Sequence, residues 1–301
     1  MQHKDMDPAA ASPAQPDVAL RRALEEAGLA EPASLWQRLP GGRTNIVWRV
    51  DTGSRSLVCK LHCHDRATPL FPNDPDAELA AMRFMAPLGL APGGAMSLNT
   101  VAGPCLIYDH VPDRAIPVTA SDIGRTLSRV HDQAPPVGLR RVADDIPAIL
   151  AQAEDILRTL PVALRARLAT HRPAFHADAL PARLCLLHGD PAPDNILATP
   201  DGPILIDWQC PAAGDPAHDL AVFLSPAMHV LAGRPPLSET DRHACLVAHG
   251  AAQRFAAVEP AHLWRMAVHC GWRLAHGESD CKAAMEAELE RLNQLDQPID
   301  R

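Results

Sequence analysis

One stretch limits what this chain can be more than any other. Leu187 to Leu220 reads LHGDPAPDNILATPDGPILIDWQCPAAGDPAHDL. A His-Gly-Asp triplet, His188 to Asp190, leads to Asn195 five positions past Asp190, and Asp207 closes the apolar run Ile204-Leu205-Ile206. Two Asp and one Asn flanking short apolar strands are residues that a core does not otherwise keep. A loop between strands can aim Asp190 and Asn195 at one point, and a neighbouring strand end can deliver Asp207 to the same place. A carboxylate and an amide oxygen are hard ligands of the kind Mg²⁺ takes, alongside waters and phosphate oxygens. A second carboxylate, not consumed by metal, can orient or accept the proton of an attacking hydroxyl.

The bulk numbers fit such a site and exclude others. The chain has 301 residues, enough for two modest domains or one two-lobed unit. Its net charge of -8 argues against nucleic acid as the partner, because phosphate contacts need clustered Lys and Arg. No run approaches a membrane span, and the N-terminal residues carry no signal-like apolar core. The eight cysteines are scattered without a CxxC pair, which speaks against a Cys-rich zinc site and for a reducing, cytoplasmic setting. Cys59, Cys63 and the His residues 62 and 64 look metal-like, but Val58-Lys60-His62 alternate with Cys59-Leu61-Cys63 as strand faces do. There are only three lysines, Lys4, Lys60 and Lys282, so a lysine inside an apolar strand is not filler.

Along the chain, residues 1–16 form a Pro- and Ala-rich tail without periodicity, expected to be disordered. Asp17 is placed to cap a first helix ending at Gly28. IVWRV and SLVCKL, separated by Asp51-Thr52-Gly53-Ser54, have the pattern of a β-hairpin. The turn before them, Pro40-Gly41-Gly42-Arg43-Thr44-Asn45, is either a simple glycine turn or a loop that covers phosphate with its backbone N–H groups. A helix over 76–90 carries Glu78, and a strand follows over 104–111. Residue 112 marks a change to helical patterning: 120–131, 146–160 and 161–176, then after the short strands 183–187, 196–198 and 204–207, helices over 218–231, 238–256, 259–275 and 280–295. The fold class is therefore α+β. Residues 17–112 make a small β-rich N-lobe with a leading helix, and 113–301 a larger, mainly helical C-lobe.

The spacing H-G-D-x-x-x-x-N followed by a strand-end Asp matches the catalytic-loop and metal-Asp signatures of protein kinases. H-G-D, I-D-W at 206–208 and Gly214-Asp215-Pro216-Ala217-His218-Asp219 resemble more narrowly the aminoglycoside phosphotransferase and choline kinase family, and the glycine turn before IVWRV is similar to its choline- and thiamine-kinase-type members. The resemblance spans about residues 36–112 and 183–230. It implies a bilobal protein-kinase-like fold and an enzyme that uses ATP and Mg²⁺. It implies that Asp190 is the catalytic Asp, that Asn195 and Asp207 are metal ligands, that Lys60 holds the α- and β-phosphates with Glu78 as its ion-pair partner, and that the backbone between Asp109 and Val111 meets the adenine edge. Gly42, Thr44 and Asn45 would cover the nucleotide. Lys60 could instead be a snorkelling strand residue, and Glu78 a solvated helix residue. His188, Asp215 and Asp219 read as structural, with Asp219 capping or anchoring the loop, and Asp194 as solvated. The glycine turn is not a full G-x-G-x-x-G, and Gln209 stands where many relatives carry Glu.

The acceptor is then a small-molecule alcohol. Aromatics are scarce, and Trp208, Trp264 and Trp272 could box an ammonium group by cation–π attraction, or could simply pack. Trp264 and Trp272 share one expected helix, about 80° apart around it. Only Glu286, Glu288 and Glu290 stand out as late acids, fewer than a polycationic aminoglycoside would call for. A choline- or ethanolamine-like amino alcohol is therefore favoured over an aminoglycoside or thiamine, with a catalytically inactive nucleotide-binding scaffold as the reading from another class. A protein kinase is disfavoured, because Gly214 follows Asp207 by seven positions and leaves no activation segment. The sequence says nothing of the oligomeric state.

Overall fold

In the computed structural model, which describes residues 16, 18–40, 43–114, 116–174 and 182–295, the hairpin signature forms a hairpin. Strands β2 (Ile46–Asp51) and β3 (Ser56–Leu61) follow helix α1 (Val18–Glu26) and strand β1 (Leu35–Arg38). The turn between β2 and β3 contains Gly53 at φ +82°, a conformation that costs glycine little. The expected tail and the Asp17 cap lie outside the described residues, apart from Pro16.

After β3 comes helix α2 (Pro75–Met85), then β4 (Met96–Thr100) and β5 (Gly103–Asp109). The five strands form one antiparallel sheet in the order β1-β2-β3-β5-β4. Its core holds Leu20 and Leu24 of α1 with Trp48, Val50, Leu57, Cys59, Cys105 and Ile107. Strand β4 gives no clear strand signal in the sequence because its residues Met96, Ser97 and Asn99 are exposed and show little apolar alternation.

The chain divides into two compact units. One holds the described residues up to Ala67 together with Pro92–Val111; the other holds Thr68–Ala91 and the described residues from Pro112 on. The chain last passes from one unit to the other between Val111 and Pro112, and α2, expected in the N-lobe, groups with the second unit. Two backbone bonds explain this: the Asp74 N–H donates to Gln209 O at 3.0 Å and the Leu205 N–H to Leu90 O at 3.1 Å. Asp74 also caps α2, accepting from the N–H groups of Asp76 and Ala77, and Gly89 at φ +67° ends the short 3₁₀ turn that follows the helix.

The second unit continues with α3 (Ala120–His131), α4 (Ile146–Arg158) and α5 (Val162–Ala169). Then come strands β6 (Cys185–Leu187), β7 (Ile196–Leu197), β8 (Ile204–Leu205) and β9 (Ala212–Gly214), paired as two antiparallel ribbons, β6 with β9 and β7 with β8. Helices α6 (Ala217–Phe223), α7 (Pro226–Leu231), α8 (Glu239–His249), α9 (Ala252–Ala275) and α10 (Cys281–Leu295) complete it. The expected break near 257 is misplaced. Gly250, left-handed at φ +86°, ends α8, while α9 runs through Pro260. The expected single helix over 218–231 is interrupted at Ser225, whose hydroxyl caps α7 by accepting from the Met228 N–H. Among the described residues, no helix is long and apolar enough to cross a membrane.

Candidate active site

The loop that carries Asp190 leaves β6 at His188, which is fully buried. Its Nε2 donates to the carbonyl of Ile206 at 3.0 Å, and its Nδ1 accepts from the Asp190 N–H at 3.3 Å. These two bonds select the neutral Nε2–H tautomer. Burial pushes the ring's pKa below its usual value, against the opposing charges of Asp219, Asp207 and Glu78. The structural role expected for His188 is the one its bonds describe.

Gly189 is required where it stands. It sits at φ +88°, and a Cβ there would lie 2.0 Å from the carbonyl oxygen of Cys210. That same carbonyl accepts from Arg140 Nη2 at 3.0 Å, a brace for which the sequence held no signal. Asp219 of α6 accepts the His188 N–H at 2.7 Å and the Gly189 N–H at 2.9 Å. One buried carboxylate therefore holds two consecutive amides and sets the turn that presents Asp190. Asp215 accepts the N–H groups of Arg183 at 2.8 Å and Ala217 at 2.9 Å, bracing the entry to β6 and the start of α6. Asp194 points outward and pairs with Arg234 at 3.2 Å.

Asn195 and Asp207 flank the β7–β8 ribbon at one end. Ile196 pairs with Leu205, and the Ile206 N–H donates to Asn195 O at 2.9 Å. Asn195 Nδ2 donates to the backbone carbonyl of Asp190 at 2.8 Å, which assigns the amide orientation and leaves Oδ1 as the acceptor end. Asp207 is the one non-glycine among the described residues with positive φ, at +61°. Such a conformation is costly for an Asp and is characteristically kept at functional sites. An amide oxygen and a carboxylate brought to one end of a ribbon, beside Asp190, form a donor set that suits Mg²⁺. Glu78, fully buried in α2, belongs to this second unit.

The first unit holds the residues expected to meet the nucleotide. Lys60 lies in β3 between Val47 of β2 and Leu106 of β5, and only 2% of it is exposed. Burying an ammonium to that degree goes beyond snorkelling, which keeps the charged head in water. Asn45 is also buried, but its Oδ1 accepts the Cys63 N–H at 3.0 Å. That bond makes it a brace between the glycine turn and the end of β3. Thr44 is half-buried, and Gly42 lies outside the described residues. At the end of β5, the Asp109 N–H donates to Gly93 O at 2.9 Å, and a Cβ on Gly94 would meet the Asp109 carboxylate at 2.7 Å. Val111 is half-buried just beyond.

The tryptophans do not form a box. Trp208 is fully buried, its indole N–H donating to Leu205 O at 3.0 Å, and Trp264 is fully buried with its N–H on Leu168 O at 2.8 Å. Neither has a face to offer a ligand. Trp272 is half-buried and stacks between His276, at 3.9 Å, and His269, at 6.1 Å between ring centroids. The two-tryptophan helix face fails because the first aromatic points into the α5–α9 contact.

The fold is protein-kinase-like, and the family to which the chain belongs is one of phosphotransferases. The chain belongs to the phosphotransferase enzyme family APH, whose model matches residues 35–258. No curated protein matches its sequence. Among solved structures, it is similar to a choline/ethanolamine kinase family protein from Mesorhizobium loti, with a TM-score of 0.63 and 17% identity over 93% of this chain and 94% of that one. It is similar to a type VIII aminoglycoside-3′-phosphotransferase, with a TM-score of 0.56 and 20% identity over 85% and 100%. An amicoumacin kinase in complex with AMP-PNP and Ca²⁺ matches with a TM-score of 0.56 and 13% identity over 91% and 93%.

Proposed function

We propose that the protein transfers the γ-phosphoryl group of Mg-ATP to a hydroxyl of a small, cationic acceptor, with a choline- or ethanolamine-like amino alcohol favoured. The observation that carries this reading is the convergence of Asn195 and Asp207 at one end of the β7–β8 ribbon, with Asn195 bonded back to Asp190. In the transfer, the bond from the γ-phosphorus to the β-bridging oxygen breaks and a bond to the acceptor oxygen forms. Asp190 orients the acceptor hydroxyl and takes its proton. Asn195 and Asp207 would hold Mg²⁺, which supplies charge neutralisation at the transferring phosphoryl group. Lys60 would bind the α- and β-phosphates, supported by Glu78, and the backbone of Asp109 and Val111 would face the adenine edge. A spectinomycin phosphotransferase solved with ADP and the amicoumacin kinase solved with AMP-PNP and Ca²⁺ are in keeping with that use of nucleotide and divalent metal.

The late acids support a small acceptor over a polycationic aminoglycoside. Glu286 is engaged by Arg167, and Glu288 is fully buried against Ser225 and the Ala227 N–H. A reducing, cytoplasmic setting agrees with eight free thiols, seven of them buried. The test is an ATP-consumption panel over choline, ethanolamine, thiamine, aminoglycosides and sugars with Mg²⁺ present. Turnover that rises most with an amino alcohol supports the reading. Selective turnover of an aminoglycoside or of thiamine would move the acceptor while keeping the chemistry, and no turnover with any acceptor would favour an inactive scaffold.

A further inference from the structure

The carboxylate that sets the catalytic turn is itself held by a group outside the loop. His131, the last residue of α3, is buried, and its Nε2 lies 3.0 Å from Asp219 Oδ2. Its Nδ1 lies 2.7 Å from Nε2 of His249, the last residue of α8. Because Asp219 can only accept, His131 carries its proton on Nε2, and His249 Nε2–H then donates to Nδ1. The result is a directed row of three side chains: His249 to His131, His131 to Asp219, and Asp219 to the amides of His188 and Gly189.

The surrounding fold is built to allow it. Gly124 lets α3 lie directly on α8, since a Cβ there would stand 2.3 Å from the carbonyl oxygen of Cys245. Two residues past His131, the carbonyl of Gln133 accepts the Leu186 N–H at 3.0 Å, so the end of α3 is fixed to β6, the strand that feeds the catalytic loop. Burial on its own would raise the Asp219 pKa, but the hydrogen bond and charge of His131 lead the effects that bring it below the usual carboxylate range. Burial lowers the His249 pKa to about 3, so the outer ring stays neutral and able to donate in this direction.

We propose that His131 is a positioning residue for phosphoryl transfer, acting through Asp219 to fix the His188–Asp190 turn. This rests on the phosphotransferase reading above. Without the His131 donor, Asp219 is free to rotate about its side-chain bonds, and its two oxygens no longer stay on the two amides. Asp190 then loses its fixed aim while the substrates' other contacts remain. The signature is therefore a fall in kcat with little change in KM for ATP or acceptor.

Two amide variants separate positioning from mere structure. Gln places a donor where His131 Nε2 stands, whereas Asn is one methylene short of Asp219. Both are uncharged and polar, and each is compared with wild type at a temperature where its melting curve shows it folded. For His131→Gln, kcat should stay within about threefold of wild type, and for His131→Asn it should fall about a hundredfold with both KM values nearly unchanged. Amide hydrogen exchange of the peptide spanning 186–190 is read in the same proteins. Exchange should be faster in His131→Asn than in wild type and close to wild type in His131→Gln. Equal kcat for the two variants in an active enzyme, or equal exchange in this peptide, would overturn the proposal. Inactive wild-type protein whose two variants nonetheless differ in exchange would instead sink the phosphotransferase reading and leave the His131–Asp219 coupling standing.

Discussion

His188 donates from Nε2 to the carbonyl of Ile206 at 3.0 Å, so one ring ties the strand end that presents Asp190 to the strand end that presents Asp207. Because burial depresses the ring's pKa below 6.5, the folded protein resists its protonation while the unfolded chain accepts it. The stability tied to the neutral ring is therefore present above about pH 6.5 and lost as pH falls further. Relative to His188→Gln, which cannot titrate, the wild type should lose additional stability between about pH 7 and pH 5. Chemical denaturation at both pH values measures this, and identical pH slopes for the two proteins would contradict it.

Gly189 tests how tightly the turn is packed. Gly189→Ala adds a Cβ 2.0 Å from the Cys210 carbonyl oxygen at a positive φ. The cost should be about 2–5 kcal/mol of stability, the sum of a left-handed penalty and an overpacking penalty. A melting temperature within a degree or so of wild type would show that the loop yields in a way the structure does not suggest.

Over much of the same pH range Glu288 acts in the opposite direction. It is buried, its carboxylate accepting from Ser225 Oγ and the Ala227 N–H, and burial raises its pKa from 4.5 to about 7. A raised folded pKa means that its stabilising contribution is complete below 4.5 and declines as pH rises to about 7, where the buried group finally ionises. Across that interval the wild type should lose about 3 kcal/mol more than Glu288→Gln, which keeps the hydrogen-bond acceptor without the charge. Parallel stability curves for the two proteins would refute this.

Trp264 separates packing from recognition. Its indole N–H is bonded to Leu168 O and its ring is fully buried. Trp264→Phe should cost about 1–3 kcal/mol through the lost indole hydrogen bond and the lost volume, and leave KM for the acceptor unchanged. A large rise in that KM with an unaltered melting temperature would restore the tryptophan to the acceptor site.

How much of this could be read in the sequence depended on the range of the interaction. The hairpin at 46–61 and the helices over 120–131 and 146–158 follow from local signals: a Gly at positive φ, the Thr119–Asp122 capping box and an apolar stripe along α4. His188-Gly-Asp190, Asn195 and Asp207 were legible because polar residues beside apolar strands need an explanation. What the sequence hid was partnership over distance. Nothing near Asn45 announces that its amide braces Cys63, 18 positions away, and nothing near Asp74 says that α2 is tied to Gln209. The tryptophan box failed for a related reason: helical spacing fixes which residues share a face, not whether that face meets solvent or another helix. His131 was invisible in the same way, since a His closing a helix looks ordinary until α8 and α6 are folded against it.

The central claim rests on Asp190, and one measurement addresses it most directly. Wild-type protein and Asp190→Ala are given ATP labelled at the γ-phosphate, Mg²⁺ and the acceptor that the panel selects, and label on the acceptor is counted. The wild type should transfer label, and Asp190→Ala should lose about 10³-fold or more in turnover while keeping the wild-type melting temperature and nucleotide affinity. A folded Asp190→Ala protein that transfers label at the wild-type rate would contradict the account.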